Sequence, residues 1–182
     1  GMTSLILGDF DRAIMHFDRA LAWRTRSDLG EINRYYTADP KIIDTVMRCW
    51  ARALKQEDLS ATLNELEKAI AMARAQKSAF SRCYALSIIA TIFCMLDDPE
   101  QARVFAQDAH KISEKIKFKY WDAWSSVLLG WAEARCGNAY SGIDILKSGL
   151  QRYIETGSGQ IVAFSHSLLA DAYLCKQEVA EA

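Results

Sequence analysis

The chain is poor in proline, in histidine and in long apolar runs. Only two prolines occur in 182 residues. Proline removes a helix donor and clashes with the preceding turn, so its scarcity favours long uninterrupted helices. No stretch approaches the roughly 18–20 apolar residues of a membrane span, and no basic-then-apolar leader opens the sequence. The formal net charge is −1, so no global field draws in nucleic acid or an anionic membrane. The cysteines Cys49, Cys83, Cys94, Cys136 and Cys175 are odd in number, and no pair has Cys-x-x-Cys spacing. They read as small buried hydrophobes in a reducing cytoplasm, not as a zinc or redox motif. His16, His110 and His166 lie far apart with no carboxylate at ligand spacing. There is no Gly-x-x-x-x-Gly-Lys-[Ser/Thr] phosphate loop. The expectation is a non-catalytic protein with no metal and no cofactor.

What the chain does have is a recurrence. Asp58–Lys77, Asp98–Lys117 and Asn138–Gly157 align at a step of 40 residues. Ala69, Ala109 and Gly149 share one column, and Thr62, Ala102, Gly142 and Ala182 a second. Leu66, Ala106 and Leu146 form a third; Cys49, Ile89, Leu129 and Leu169 form a fourth on the partner segments. A fixed period between about 20 and 50 residues is the mark of a stacked repeat protein.

The segments between these marks read as helices. Ile42, Ile43, Val46, Met47, Trp50 and Leu54 follow the three-four step of an amphipathic helix, and Leu59 to Ala73 continue it. Gln56–Asp58 is too short a break for anything but an antiparallel turn. Asp98-Pro99-Glu100 is a start signal: a capping carboxylate, a proline suited to the first helical position, and an acid at the positive helix end. Cys136-Gly137-Asn138 and Thr156-Gly157-Ser158-Gly159 read as breaks, with Gly137 supplying left-handed backbone. No alternating strand pattern of useful length is present.

Gly8-Asp-Phe-Asp-Arg-Ala13-Ile-Met-His-Phe17-Asp-Arg-Ala20-Leu21 resembles the second half of a tetratricopeptide (TPR) repeat, with Gly8, Ala13, Phe17 and Ala20 at the motif positions. Leu129-Gly130 and Gly137 match in a later unit, and Leu169, Ala170, Tyr173 and Ala182 in the last. Thr62 and Ala106 depart from the motif, and Glu57, Asp97 and Gln177 stand where it has its turn glycine. The resemblance implies an all-α, right-handed α-α superhelix of about four and a half antiparallel hairpins. Its units are 1–25, 40–77, 78–117, 118–157 and 158–182, with an inserted loop at 24–39. A period of 40 against the usual 34 or so implies lengthened helices.

A second resemblance covers most of the chain. Tyr36-Thr-Ala-Asp39-Pro40, Phe118-Lys-Tyr-Trp121-Asp-Ala-Trp124, Leu128-Leu-Gly130-Trp131-Ala132 and Leu168-Leu-Ala170-Asp-Ala172-Tyr173 occur in that order. Together they resemble the C-terminal TPR region of bacterial signalling regulators that join an adenylate/guanylate cyclase, or another output domain, to an ATPase. What this implies is an accessory arm. The chain starts and stops in mid-hairpin, which reads as a fragment of something longer. Leu5, Ile6 and Leu7 at one end, and Leu174, Val179 and Ala180 at the other, are candidates for exposed apolar faces.

In stacked hairpins the first helix of each pair lines the groove. That frame makes Met47, Tyr84, Trp124, Trp131 and Phe164 the candidate binding residues, for a protein or peptide partner or a small apolar ligand. Three functions compete. The first is a protein-interaction or ligand-sensing arm. The second is a stand-alone adaptor that forms a homodimer through its open ends. The least favoured is a single-stranded RNA binder. Lys111, Lys115, Lys117 and Lys119 cluster, but Glu114 and Asp122 interrupt them, which suits a solvated helix face.

Overall fold

The computed structural model describes residues 1–26, 38–56 and 58–181, with side chains throughout these except at 25, 26 and 177–181. Most of the inserted segment read at 24–39, and Glu57 and Ala182, lie outside them. Among the described residues every regular element is a helix: α1 (Met2–Ile6), α2 (Phe10–Arg26), α3 (Pro40–Lys55), α4 (Leu59–Ala75), α5 (Ala79–Met95), α6 (Pro99–Lys115), α7 (Lys119–Arg135), α8 (Ala139–Glu155) and α9 (Val162–Glu181).

Helices α4 to α8 are each 17 residues long, and they begin at residues 59, 79, 99, 119 and 139, a constant step of 20. Local chemistry sets these boundaries. Asp58, Ser78 and Asp98 each accept a hydrogen bond from the backbone three residues on, the N-cap geometry that satisfies an orphan donor. Pro99 occupies the first turn of α6, as its fixed φ favours. The turns exit through left-handed backbone at Gln56, Asp97, Lys117, Gly137 and Gly157. After α3 it is Gln56 that takes that conformation. The turn before α5 is different: Gln76 is extended, with ψ 125°.

Consecutive helices pack against each other, and the odd-numbered helices also pack in a row, α3 on α5, α5 on α7 and α7 on α9. This explains an asymmetry in burial. Helices α5 and α7 are covered on nearly every side, from Cys83 to Cys94 and from Trp121 to Ala134. Helices α4, α6 and α8 bury one stripe each, Thr62/Leu66/Ala69/Ala73, Ala102/Phe105/Ala106/Ala109 and Gly142/Leu146/Gly149/Tyr153. The small-residue columns of the sequence are these stripes. In the fourth column Cys49 and Ile89 are buried, whereas Leu129 and Leu169 are only partly so.

Among the described glycines, those at the crossing of α7 and α8 permit the closest approach of backbone to backbone. A Cβ at Gly130 would lie 2.4 Å from the Leu146 backbone N, and one at Gly142 would lie 2.4 Å from the Ala134 backbone N. At Gly149 it would meet Val127 N at 2.8 Å and Ser126 Cβ at 2.9 Å. These are backbone approaches no side chain can relax, so only glycine permits them.

Buried hydroxyls do not interrupt the core. Ser87, Thr91, Ser125 and Ser165 each donate to the carbonyl four residues back in their own helix, satisfying the hydroxyl locally.

Candidate functional site

Met47, Trp124 and Trp131 are 0%, 2% and 2% exposed. They are packing residues and wall no open groove, which corrects the expectation drawn from their position on the first helix of each pair. The physical reason is the row of odd helices: a side chain on α7 that points away from α8 meets α5 or α9 instead of solvent. Trp124 donates its indole N–H to Thr91 Oγ1 on α5 at 3.1 Å. Trp131 donates to Asp171 Oδ2 on α9 at 2.6 Å, and Arg135 donates to the same oxygen at 2.9 Å. Arg135 also reaches Asp97 in the turn after α5 at 2.9 Å. The Asp171 pair holds the Arg135 guanidinium above its usual pKa. This cluster ties three consecutive odd helices together.

Tyr84 and Phe164 remain half-buried at the surface. Tyr84 meets Trp121 edge-on at 4.9 Å. Trp121 continues to Tyr120 and Trp124, and both of these reach Tyr153 on α8. The result is a seam of aromatic rings running from α5 through α7 to α8, open at Tyr84 and Tyr120. Tyr120 shares hydroxyl contacts with Tyr153 at 3.3 Å and Gln160 at 3.4 Å. Burial pushes the Tyr84 phenol up to about 12, with Asp44 adding to the rise, and burial raises Tyr120 further. Both stay neutral donors at ordinary pH. Asp44 is tied to Arg24 at 2.7 Å. Of the five candidate residues, the structure thus joins Tyr84 and Trp124 through shared neighbours and places Met47 and Trp131 in the core. Tyr120, Trp121 and Tyr153 were not singled out from sequence as binding residues. For Tyr120 and Trp121 the signal is the density of aromatics at 118–124; Tyr153, on α8, lies outside that stretch.

A second polar site joins α6, α7 and α8. Asp122 binds His110 Nδ1 at 3.0 Å through one carboxylate oxygen and Arg152 through the other. Arg152 also donates to Ser126 Oγ at 2.8 Å, and Ser126 Oγ lies 3.4 Å from the same His110 Nδ1. A nucleophile–histidine–carboxylate relay needs the two partners on opposite ring nitrogens. Here both meet Nδ1, and Ser126 donates to the Asp122 carbonyl at 2.8 Å. The arrangement is an ion cluster that locks α8 onto α7. Lys117, Phe118 and Lys119 rim the cleft beside it.

None of the five cysteines is joined in a disulfide. Cys49, Cys83 and Cys94 are buried, while Cys136 and Cys175 are partly exposed. Burial pushes the thiols of Cys49 and Cys83 up to about 12 and raises that of Cys94, away from the thiolate that nucleophilic chemistry requires. Among the described residues no group of three His, Cys, Asp or Glu side chains could hold a metal ion. No helix among them is long and apolar enough to cross a membrane.

Compared with known proteins, no family model matches the chain, and no curated protein matches it either.

Proposed function

We propose that the chain is a helical-repeat scaffold of the tetratricopeptide kind, with a 40-residue unit wound as a right-handed superhelix, that holds a protein or peptide segment and performs no chemistry itself. It works in the cytoplasm, as the regulatory arm of a bacterial signalling ATPase or cyclase. The observation that carries this reading is the row of odd helices with its aromatic seam, open at Tyr84 and Tyr120, together with half-buried Phe164 on α9. Aromatic edges on a rigid frame give large contact area with little ordering entropy. Random-peptide display against the immobilised protein tests it. Enriched sequences should lose at least tenfold in binding to Tyr84→Ala and Phe164→Ser proteins of unchanged helicity. Enrichment indifferent to both substitutions would sink the reading. Whether the reading frame upstream of Met2 encodes an ATPase tests the regulatory-arm part separately.

A second reading, self-association through the ends, draws on Ile6, Leu7 and Leu174, which are 68%, 78% and 59% exposed. Val179 and Ala180, named with them from sequence, lie among the side chains not described. Sedimentation over a hundredfold concentration range should then show a dimer that Leu7→Ser and Leu174→Ser weaken. A monomer at every concentration removes this reading and leaves the first intact.

A further inference from the structure

Three cationic side chains from three successive helices line one cleft: Arg74 of α4, Arg82 of α5 and Lys111 of α6. Asp108 is the single carboxylate beside them, and Leu86 and Ile112 complete the wall. The cleft measures about 350 Å³. The Arg82 Nε is buried and has no hydrogen-bond partner. Among the described residues, Arg74, Arg82 and Lys111 make no ion pair. Arg74 lies over the Phe105 ring, 5.9 Å from its centre. A buried guanidinium nitrogen without an acceptor carries its full desolvation penalty, and three neighbouring cations add mutual repulsion.

The same position 40 residues later shows the frame with a carboxylate at its centre. There Arg82 becomes Asp122, Ile112 becomes Arg152 and Ile70 becomes His110. The Asp122 carboxylate there binds both Arg152 and His110. In the α4–α5–α6 cleft the acid at the centre is replaced by a cation and nothing in the described chain answers it.

We infer that this cleft binds a phosphomonoester group, with Arg82 as the central donor and Arg74 and Lys111 supplying charge. Three cations against one carboxylate leave a surplus of two, and a phosphomonoester carries roughly −1.5 to −2 at neutral pH. A guanidinium is the side chain best matched to phosphate oxygens. The group comes from a free small phosphate or from a phosphorylated side chain of a partner. Arg82 and Tyr84 stand two residues apart on α5, about 200° around the helix, so this cleft and the aromatic seam occupy different faces and fail independently.

Amide chemical shifts of the whole chain, titrated with inorganic phosphate and with chloride at matched ionic strength, test the assignment. Phosphate should give saturable shifts at Arg82, Leu86 and residues 108–112 that chloride does not. Arg82→Gln should weaken binding at least tenfold. Lys111→Gln, at an exposed position that leaves the core untouched, should weaken it severalfold, and Asp108→Asn should strengthen it. Equal responses to phosphate and chloride overturn the inference, as does wild-type binding by both Arg82→Gln and Lys111→Gln. A phosphoserine peptide that binds more tightly than inorganic phosphate, while its unphosphorylated form does not bind, identifies a modified partner. Binding of the peptide no tighter than the inorganic ion identifies a free small phosphate.

Discussion

The hairpins α5–α6 and α7–α8 are built on the same 17-residue helices and three-residue turns, yet different residues fill their equivalent positions. Where the first has buried Ala90, Ala102 and Ala109, the second has Gly130, Gly142 and Gly149. Where the first turns Arg82 into a cleft of cations, the second turns Asp122 into a cleft whose central acid is paired with Arg152 and His110. The shared metre decides where each helix lies. How closely the helices approach depends on whether a methyl group stands between them, and whether the charges of a cleft are paired depends on one side chain.

The largest expected effect lies in the glycine column. Gly142→Leu drives a side chain into the Ala134 backbone and should cost about 3 kcal/mol, the upper end of ordinary overpacking. Ala102→Gly at the equivalent place loses one methyl and helix propensity, about 1 kcal/mol. Urea melts of the two variants measure the difference, and equal losses would mean that the two crossings are equally close. Next comes the charge. Asp122→Asn leaves Arg152 and His110 without their carboxylate and should cost roughly 1–2 kcal/mol. Arg82→Gln removes a part-buried cation that has no ion-pair partner and should leave stability unchanged or raise it. A larger loss at Arg82 than at Asp122 would reverse the comparison.

Alkaline titration gives a smaller and more distributed signal. The Cys83 thiol is raised from 9.0 to about 12 and the Tyr84 phenol from 10.0 to about 12, both chiefly by burial. The native state then holds protons that the unfolded chain has released, so stability is full below pH 9 and falls between about pH 9 and 12. Cys83→Ala should flatten the early part of that fall, and an unchanged slope would show that the thiol is not responsible. The smallest effect is kinetic. Cys136 and Cys175 should react with a thiol reagent in the native state, and Cys49, Cys83 and Cys94 only on unfolding. Rapid native labelling of Cys83 would show that α5 is less enclosed than α7.

Much of this architecture is legible in the chain. Asp98-Pro99 marks the start of α6, Gly137 marks the turn before α8, and the small-residue columns fall on the buried stripes. Less legible is what covers a helix once it is formed. Periodicity assigns Trp124 and Trp131 to a face, but α5 and α9 fill that face, and their approach is a long-range contact no local pattern announces. The left-handed Gln56 after α3, whose N–H donates to the Arg52 carbonyl, is not a glycine, so no residue type marks it in the sequence. The cationic cleft was hidden for another reason. Its residues lie outside the apolar columns, so only the equivalence of Arg82 with Asp122 on α5 and α7 exposes it.

The constant step of 20 residues has an editorial consequence. Removing residues 79–118 would join Ser78 to Lys119 without altering the length of a turn, so α7 would follow α4 in phase. The new junction would even gain a hydroxyl cap in place of Phe118, which makes none. Equal lengths of helix and turn from α4 to α8 mean that a whole hairpin could leave or enter without resizing a turn, and the reach of the chain would then change in fixed increments.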